Sequence, residues 1–174
     1  MRTVGRGGDY LRVADPAWAH PLDGRFSARR GGRWNPPGSF PVVYLCRTVE
    51  VARAVVFQKL EPHPYGPEDL NPASAPVLVG TAVREERFAD ALTARGLVSA
   101  GLPSSYPSDQ AGKPIGWARC QPIGLQAWEA GHPGVACRSA APTAPAGGEE
   151  LAWFQRGRRR LTARAVRGFD DWFW

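Results

Sequence analysis

The residues best suited to hold a phosphate-bearing ligand lie in a short basic segment, residues 29–38, with the sequence RRGGRWNPPG. Arg33 carries a planar guanidinium that can make paired, charge-assisted hydrogen bonds to a phosphate. Two glycines precede it and allow the backbone to come close to a ligand, while Trp34, Asn35 and two prolines follow it. This combination predicts a phosphate-binding loop, and an ordinary Gly/Pro turn with a solvated arginine fits the same pattern.

The chain that follows this loop predicts a rigid support for it. Residues 41–46 form an apolar, β-branched run that is typical of a buried strand. Thr48 is a suitable N-cap and Glu50 lies in the first turn after it, where a carboxylate suits the helix dipole. Apolar residues then recur at helical spacing as far as Leu60. We therefore expect a strand over 41–46 and an amphipathic helix over about 48–60.

The remaining chain predicts several short strands, two further helices and long Gly/Pro-rich loops. The predicted strands are 10–14, 77–83, 134–139 and 150–154, with another in the tail after 161; the predicted helices are 84–95 and 122–130; residues 1–9 are expected to be loose, and 17–32, 62–76 and 102–113 to be loops. We expect the aromatic residues near the C-terminus to dock on the core. This pattern predicts one α+β domain over residues 1–174, with antiparallel or mixed sheets and a few short helices.

Composition narrows the class of protein. The chain has 174 residues, of which 43% are hydrophobic, and its seven tryptophans argue against disorder. No apolar run approaches the roughly 20 residues that a membrane span needs, and no secretory signal opens the sequence. These features predict a cytoplasmic protein with no membrane association.

The cysteines and histidines do not form a metal-binding pattern. Cys46, Cys120 and Cys137 are far apart and never occur as CxxC, so we expect buried, reduced thiols rather than zinc ligands or disulfides. Each of the three histidines precedes a proline and none is paired with another at ligand spacing. We therefore expect no metal.

The formal net charge of +6 raises the question of a nucleic-acid partner. Only residues 156–160, with the sequence RGRRR, form a dense basic cluster, and no helix-turn-helix, zinc-finger or RNA-recognition signature accompanies it. A solvated face or a patch for an acidic protein partner fits this cluster at least as well. Nucleic-acid binding is the least favoured hypothesis.

Five segments, in this order, resemble the RES domain family, the toxins of bacterial RES–Xre toxin–antitoxin pairs. The segments are 10–16, 31–38, 43–45, 123–128 and 136–140, so the resemblance covers about 10–155 and leaves a basic and aromatic tail at 156–174. The resemblance implies a fold like that of ADP-ribosyltransferase toxins, with a cleft that binds NAD⁺. It also implies an antitoxin protein as partner.

The resemblance further implies an activity and a set of site residues. NAD⁺ would be the substrate, broken at the nicotinamide–ribose bond with phosphate or water as acceptor, so that cellular NAD⁺ is depleted. By position, Arg12 and Arg33 would bind the dinucleotide, Tyr44 would flank the nicotinamide ribose, and Ser139 would be the motif serine. Arg33, Tyr44 and Ser139 are the implied catalytic residues.

The family's glutamate is missing from this sequence. Spacing from Tyr44 places Val55 at its position in the helix. Gln58 shares that helix face but is uncharged, and Glu61 lies about 120° around the helix; Glu129 is an alternative from elsewhere in the chain. Two functions therefore stay open: an NAD⁺-cleaving toxin, or a weakened RES-like domain that binds NAD⁺ or a protein partner without turnover.

Overall fold

Six strands, four helices and two 3₁₀ turns make up the chain from Met1 to Trp174, all of which is described by a computed structural model. The predicted α+β class is confirmed. In chain order the elements are β1 (Thr3–Ala14), α1 (Arg25–Arg30), β2 (Val42–Cys46), α2 (Val49–Leu60), a 3₁₀ turn (Pro67–Asp69), β3 (Val77–Ala91), α3 (Ala94–Ser99), α4 (Trp117–Glu129), β4 (Gly134–Arg138), β5 (Glu149–Phe154), β6 (Ala163–Arg167) and a second 3₁₀ turn (Phe169–Asp171).

The strand pairings close a ring. The order is β1-β2-β5-β4-β3, and β3 pairs again with β1, while β6 lies on the free edge of β3. Every pairing is antiparallel except that of β3 with β4, so the sheet is mixed, as predicted. Closure of the ring gives a small barrel whose inward-facing side chains alternate with outward-facing ones along each strand.

The inside of the barrel is one apolar cluster, which contains Tyr10, Leu45, Phe88, Leu151 and Trp153, all buried. Two further clusters lie on its outer surface. One is covered by α3 and α4, and the other by α2 together with aromatic residues of the C-terminus. The expected docking of that aromatic tail is confirmed for three of its members, Phe169, Trp172 and Phe173.

Two predictions near the ends of β1 and β3 are wrong. Residues 84–95 were expected to form a helix, but β3 continues to Ala91 and only then does α3 begin. Residues 1–9 were expected to be loose, but β1 starts at Thr3. The two errors have one cause, since β1 pairs with β3 as far as Thr3 opposite Ala89. Pairing between distant segments overrides the local preference of the polar stretch.

The helix predicted at 122–130 begins earlier, at Trp117, and contains Pro122 in its interior. A proline there cannot donate to the carbonyl of Ala118, four residues back. Both residues are exposed, so water can take the place of the missing donor. Within the expected loop 17–32, residues 25–30 form the short helix α1.

The other predicted elements lie close to where the sequence placed them, and the three cysteines are buried and free, as expected. No helix is both long enough and apolar enough to cross a membrane.

Candidate functional site

The loop that carries Arg33 is held from behind by Tyr44. The Tyr44 hydroxyl accepts a hydrogen bond from the backbone N–H of Trp34 (2.9 Å) and donates one to the Oδ1 of Asn35 (2.8 Å). Gly32 lies against the same hydroxyl, and a Cβ at this position would overlap with it. Glycine is therefore required here by the close approach of the tyrosine, and Tyr44 fixes the loop's distance from the sheet.

Helix α4 holds the loop from the other side. Gln121 donates from its Nε2 to the carbonyl of Gly32 (3.0 Å). The backbone of Gly124 touches the carbonyl of Trp34, a contact that leaves no room for a side chain. Trp34 itself is buried in the cluster beneath α4. Trp34 and Asn35 thus shape the loop rather than present themselves to a ligand.

Arg33 projects from this clamped loop into a cavity. Its Nη1 donates to the carbonyl of Ile115 (2.7 Å), which fixes one edge of the guanidinium. No carboxylate forms an ion pair with it. The side chain is partly buried and lies beside Tyr106 and Cys120. An arginine that is anchored on one edge and has no acidic partner can offer its other edge to an anion.

The cavity has a volume of about 1040 Å³ and lies at the end of the barrel where β4 ends and β5 begins. This volume is at the upper end of the range for small-molecule and cofactor pockets. Its wall is formed by the 106–115 loop, the 138–149 connection and the C-terminal half of α2. The charged or polar residues that line it include Arg6, Arg33, Gln58, Glu61, Arg138, Ser139 and Glu149.

Arg6 and Arg138 are engaged with the protein itself. Arg6 forms an ion pair with Glu149 (2.8 Å), which also accepts a hydrogen bond from the Tyr10 hydroxyl (2.7 Å). Arg138 donates to the carbonyls of Leu92, Ser104 and Tyr106, and so ties the cavity wall to the end of β4. Arg33 is therefore the cavity arginine best placed to bind a ligand's negative charge.

Ser139 also lines the cavity, immediately after β4. Its Oγ donates to the Oε1 of Glu150 (2.6 Å) and accepts from the backbone N–H of Ala141 (3.3 Å). Burial raises the pKa of the Glu150 carboxyl, and the hydrogen bond from Ser139 and the charge of Arg33 oppose that rise. Sequence reasoning missed Glu150. The available signal was its position at the head of an apolar strand, which becomes informative only when the strand's neighbours are known.

The structure brings three of the four residues implied by the resemblance to one region, and not the fourth. Arg33 and Ser139 line the cavity, and Tyr44 lies directly behind the Arg33 loop. Arg12 lies on β1 outside the set of cavity-lining residues. Its Nη1 donates to the carbonyl of Asp23 (3.3 Å) and its guanidinium lies over the Trp18 ring. Burial lowers the pKa of Arg12 to about 10.

At the position of the missing glutamate, Val55 packs against the apolar cluster beneath α2. Gln58 faces the cavity and donates to the carbonyl of Ala140 (3.4 Å). Glu61 also lines the cavity, whereas Glu129, on the exposed side of α4, does not. Gln58 therefore reaches the cavity, whereas Val55, which was expected to share its helix face, does not line it.

The basic cluster 156–160 is divided among different contacts. Arg156 stacks over the Trp128 ring at 3.8 Å and donates to the carbonyl of His132, and Arg159 pairs with Glu86. Arg158 and Arg160 remain exposed. No group of three or more His, Cys, Asp or Glu side chains is arranged to hold a metal.

Comparisons with known proteins agree with this architecture. Residues 8–170 match the family model of the RES domain. Among solved structures, the chain is similar to one in the crystal structure of the M. tuberculosis MbcT–MbcA toxin–antitoxin complex, with 26% sequence identity and a TM-score of 0.76 over 95% of this chain and 86% of that chain. A comparison with curated proteins gave no match. Because the family match spans nearly the whole sequence, the chain belongs to the RES domain family.

Proposed function

We propose that this protein is a toxin that binds NAD⁺ in the cavity beside Arg33 and breaks the nicotinamide–ribose bond. The observation that supports this most directly is the cavity itself, which is lined both by Ser139 and by an anchored arginine that forms no ion pair. A dinucleotide needs a large pocket and a cation for its pyrophosphate, and both features are present.

In the proposed binding mode, the free edge of the Arg33 guanidinium makes paired hydrogen bonds to the pyrophosphate. The clamped loop keeps this group in place before the ligand arrives, so little side-chain freedom is lost on binding. Tyr44 acts through the loop, since its hydroxyl is already used by Trp34 and Asn35. Its role is to position Arg33.

The chemical step breaks the bond between the ribose C1′ and the nicotinamide nitrogen, and the electron pair leaves with nicotinamide. The remaining ribosyl group has oxocarbenium character in the transition state. A water or phosphate oxygen then bonds to C1′, which yields ADP-ribose and a proton, or the ADP-ribosyl phosphate. Ser139, on the cavity wall, is placed to orient the ribose or the incoming oxygen.

The test is to incubate the purified protein with NAD⁺, with and without phosphate, and to measure free nicotinamide. Release that depends on native protein, together with growth arrest on expression, would support the proposal, and a phosphate dependence would identify the acceptor. A heat-denatured sample is the control. Neither nicotinamide release nor growth arrest from well-folded protein would refute the proposed activity.

A second function is favoured by one specific observation. Val55 is part of an apolar cluster where the resemblance implies a catalytic glutamate, and loss of one electrostatic group often lowers a rate by about 10²–10³. The domain would then bind NAD⁺ without turnover. Calorimetric binding without product would support this alternative, and Val55→Glu should then increase release; robust turnover by the natural sequence would exclude it.

We also propose an antitoxin protein as partner, acting in the cytoplasm where NAD⁺ is available. The support is the similarity to the toxin of a toxin–antitoxin complex. Co-expression with the product of a neighbouring gene, followed by co-purification and relief of growth arrest, tests this. Failure of all neighbouring gene products to relieve the arrest would count against it.

A further inference from the structure

Glu150 is a carboxylate that touches the proposed site without lining the cavity. It is the second residue of β5, and its side chain accepts the hydrogen bond from Ser139 at 2.6 Å. Two other carboxylates lie nearby. Glu149 is bound to Arg6 and Tyr10, and Glu61, the residue that follows α2, lines the cavity without an ion pair.

The strand register explains why Glu150 meets the site residues. Glu150 is opposite Cys46 of β2 on one side and opposite Cys137 of β4 on the other. Residues directly opposite in antiparallel strands share a face, and so do residues two apart in one strand. Tyr44, two residues before Cys46, and Ser139, two residues after Cys137, therefore project on the same outer face of the barrel as Glu150.

Helix α2 covers this face at the same place. Gln58 reaches the carbonyl of Ala140, next to Ser139. Val51 lies against Gly148, near the start of β5. Val55 is one turn from each of these contacts along the helix. Val55, at the position that lacks the family's carboxylate, and Glu150 therefore lie in the same region of the structure.

We propose that Glu150, acting through Ser139, supplies the negative charge that position 55 of this chain lacks. The inference rests on the proposed NAD⁺ cleavage. Ser139 donates its only proton to the Glu150 carboxylate and accepts one hydrogen bond from the backbone N–H of Ala141, so one lone pair of Oγ remains for the cavity. A hydroxyl polarised in this way places electron density beside the forming ribosyl cation. Its oxygen can also accept a hydrogen bond from the incoming water or phosphate. Glu150 is thus a positioning residue.

The charged and titratable groups around Glu150 set its pH dependence. Arg33 faces it from the loop, Tyr44 and Cys46 from β2, and Cys137 from β4. The carboxyl must be ionised to accept the Ser139 hydrogen bond. Activity should therefore fall as the pH decreases through the pKa of Glu150, which burial places above the usual value for glutamate.

The experiment compares nicotinamide release by wild type, Glu150→Gln, Glu150→Asp and Glu129→Gln over a range of pH. Glu150→Gln keeps the shape and removes the charge, and kcat should fall by about 10²-fold while KM changes little. Its acid limb in the pH profile should disappear. Glu150→Asp should retain part of the rate together with the limb. Glu129→Gln makes the same charge change at an exposed position of α4, and its kcat and KM should match those of wild type.

Three results would overturn this inference. Wild-type turnover with an unchanged kcat in Glu150→Gln would refute the role of Glu150 and leave the proposed function intact. A rate loss in Glu150→Gln with an unchanged acid limb would show a structural role only. Absence of turnover in wild type would refute both proposals, because Glu150 would then not make up for Val55.

Discussion

Arg12 and Arg33 were expected to perform the same task, and the structure places them in different surroundings. Arg33 is partly buried on a clamped loop, with one edge bound to a carbonyl and the other at a large cavity. Arg12 is only 7% exposed, lies over Trp18 and has one hydrogen bond, to Asp23. The difference between the two residues is that only Arg33 has part of its guanidinium beside open space, where a ligand could reach it.

The largest expected effect is at Arg33. Arg33→Ala should lower kcat/KM for nicotinamide release by about 10²–10³-fold, since it removes the cation proposed to bind the pyrophosphate. Thermal stability should change little, because the guanidinium makes one hydrogen bond to the protein. Steady-state kinetics checks the rate, and Arg158→Ala, at an exposed arginine, is the matched control. Equal activity in the two variants would refute the proposed role of Arg33.

The support of the loop should matter next. Tyr44→Phe removes the hydroxyl that pairs with Trp34 and Asn35, and leaves two buried polar groups without that partner. We expect a loss of about 1–3 kcal/mol in the free energy of unfolding, with a raised KM as Arg33 loses its fixed position. Urea unfolding and kinetics measure the two effects. A variant with lower stability and an unaltered KM would show that Tyr44 does not position Arg33.

The pH dependence of stability should differ between the two regions. Burial raises the pKa of Tyr44 and of Tyr106, beside Arg33, well above the usual value near 10. The folded state therefore binds more protons than the unfolded state at alkaline pH, so these residues contribute stability below pH 10 that is lost as the pH rises.

The contribution of Arg12 to the pH dependence of stability has the opposite sign. Its pKa of about 10 is below the unfolded value, so deprotonation above pH 10 relieves an unfavourable buried charge. Because burial also raises the pKa of Tyr10, the three tyrosines outweigh this one arginine, and we expect unfolding curves to show a net loss of stability as the pH rises above about 10. The decline should be smaller in Tyr44→Phe; a decline as steep as that of wild type would contradict the assignment.

The smallest expected effect is at Arg12. Arg12→Met keeps an unbranched apolar side chain but removes the guanidinium that lies over Trp18, together with its charge, and KM for NAD⁺ should stay within a factor of about two of wild type. Stability should change by less than about 1 kcal/mol, since burial of a poorly paired charge is itself unfavourable. A large increase in KM would mean that Arg12 reaches the dinucleotide after all.

Local patterns predicted the part of the fold that depends on local physics. One contiguous segment contains the Arg33 loop, the strand behind it and α2. Its glycines, its β-branched run and its helix cap can each be recognised from the local sequence alone. Residues 84–91 were mistaken for helix because their strand structure depends on β1, more than seventy residues away. No local pattern encodes that pairing.

The site followed the same rule. Arg33 was identifiable from its neighbours, whereas its proximity to Ser139 depends on β5 lying between β2 and β4. That order was not predicted; the family resemblance implied only that the two residues belong to one site. The sequence shows Glu150 only as one acidic residue at the start of an apolar strand. Its contact with Ser139 depends on the pairing of β5 with β4, which the sequence does not reveal.

The most direct test of the central claim is a crystal structure of the Ser139→Ala variant with NAD⁺, in which slowed turnover should preserve the ligand. We expect the pyrophosphate within hydrogen-bond distance of the free edge of the Arg33 guanidinium, and the nicotinamide ribose beside residue 139. NAD⁺ bound at another surface, or in this cavity with Arg33 turned away from it, would refute this binding mode.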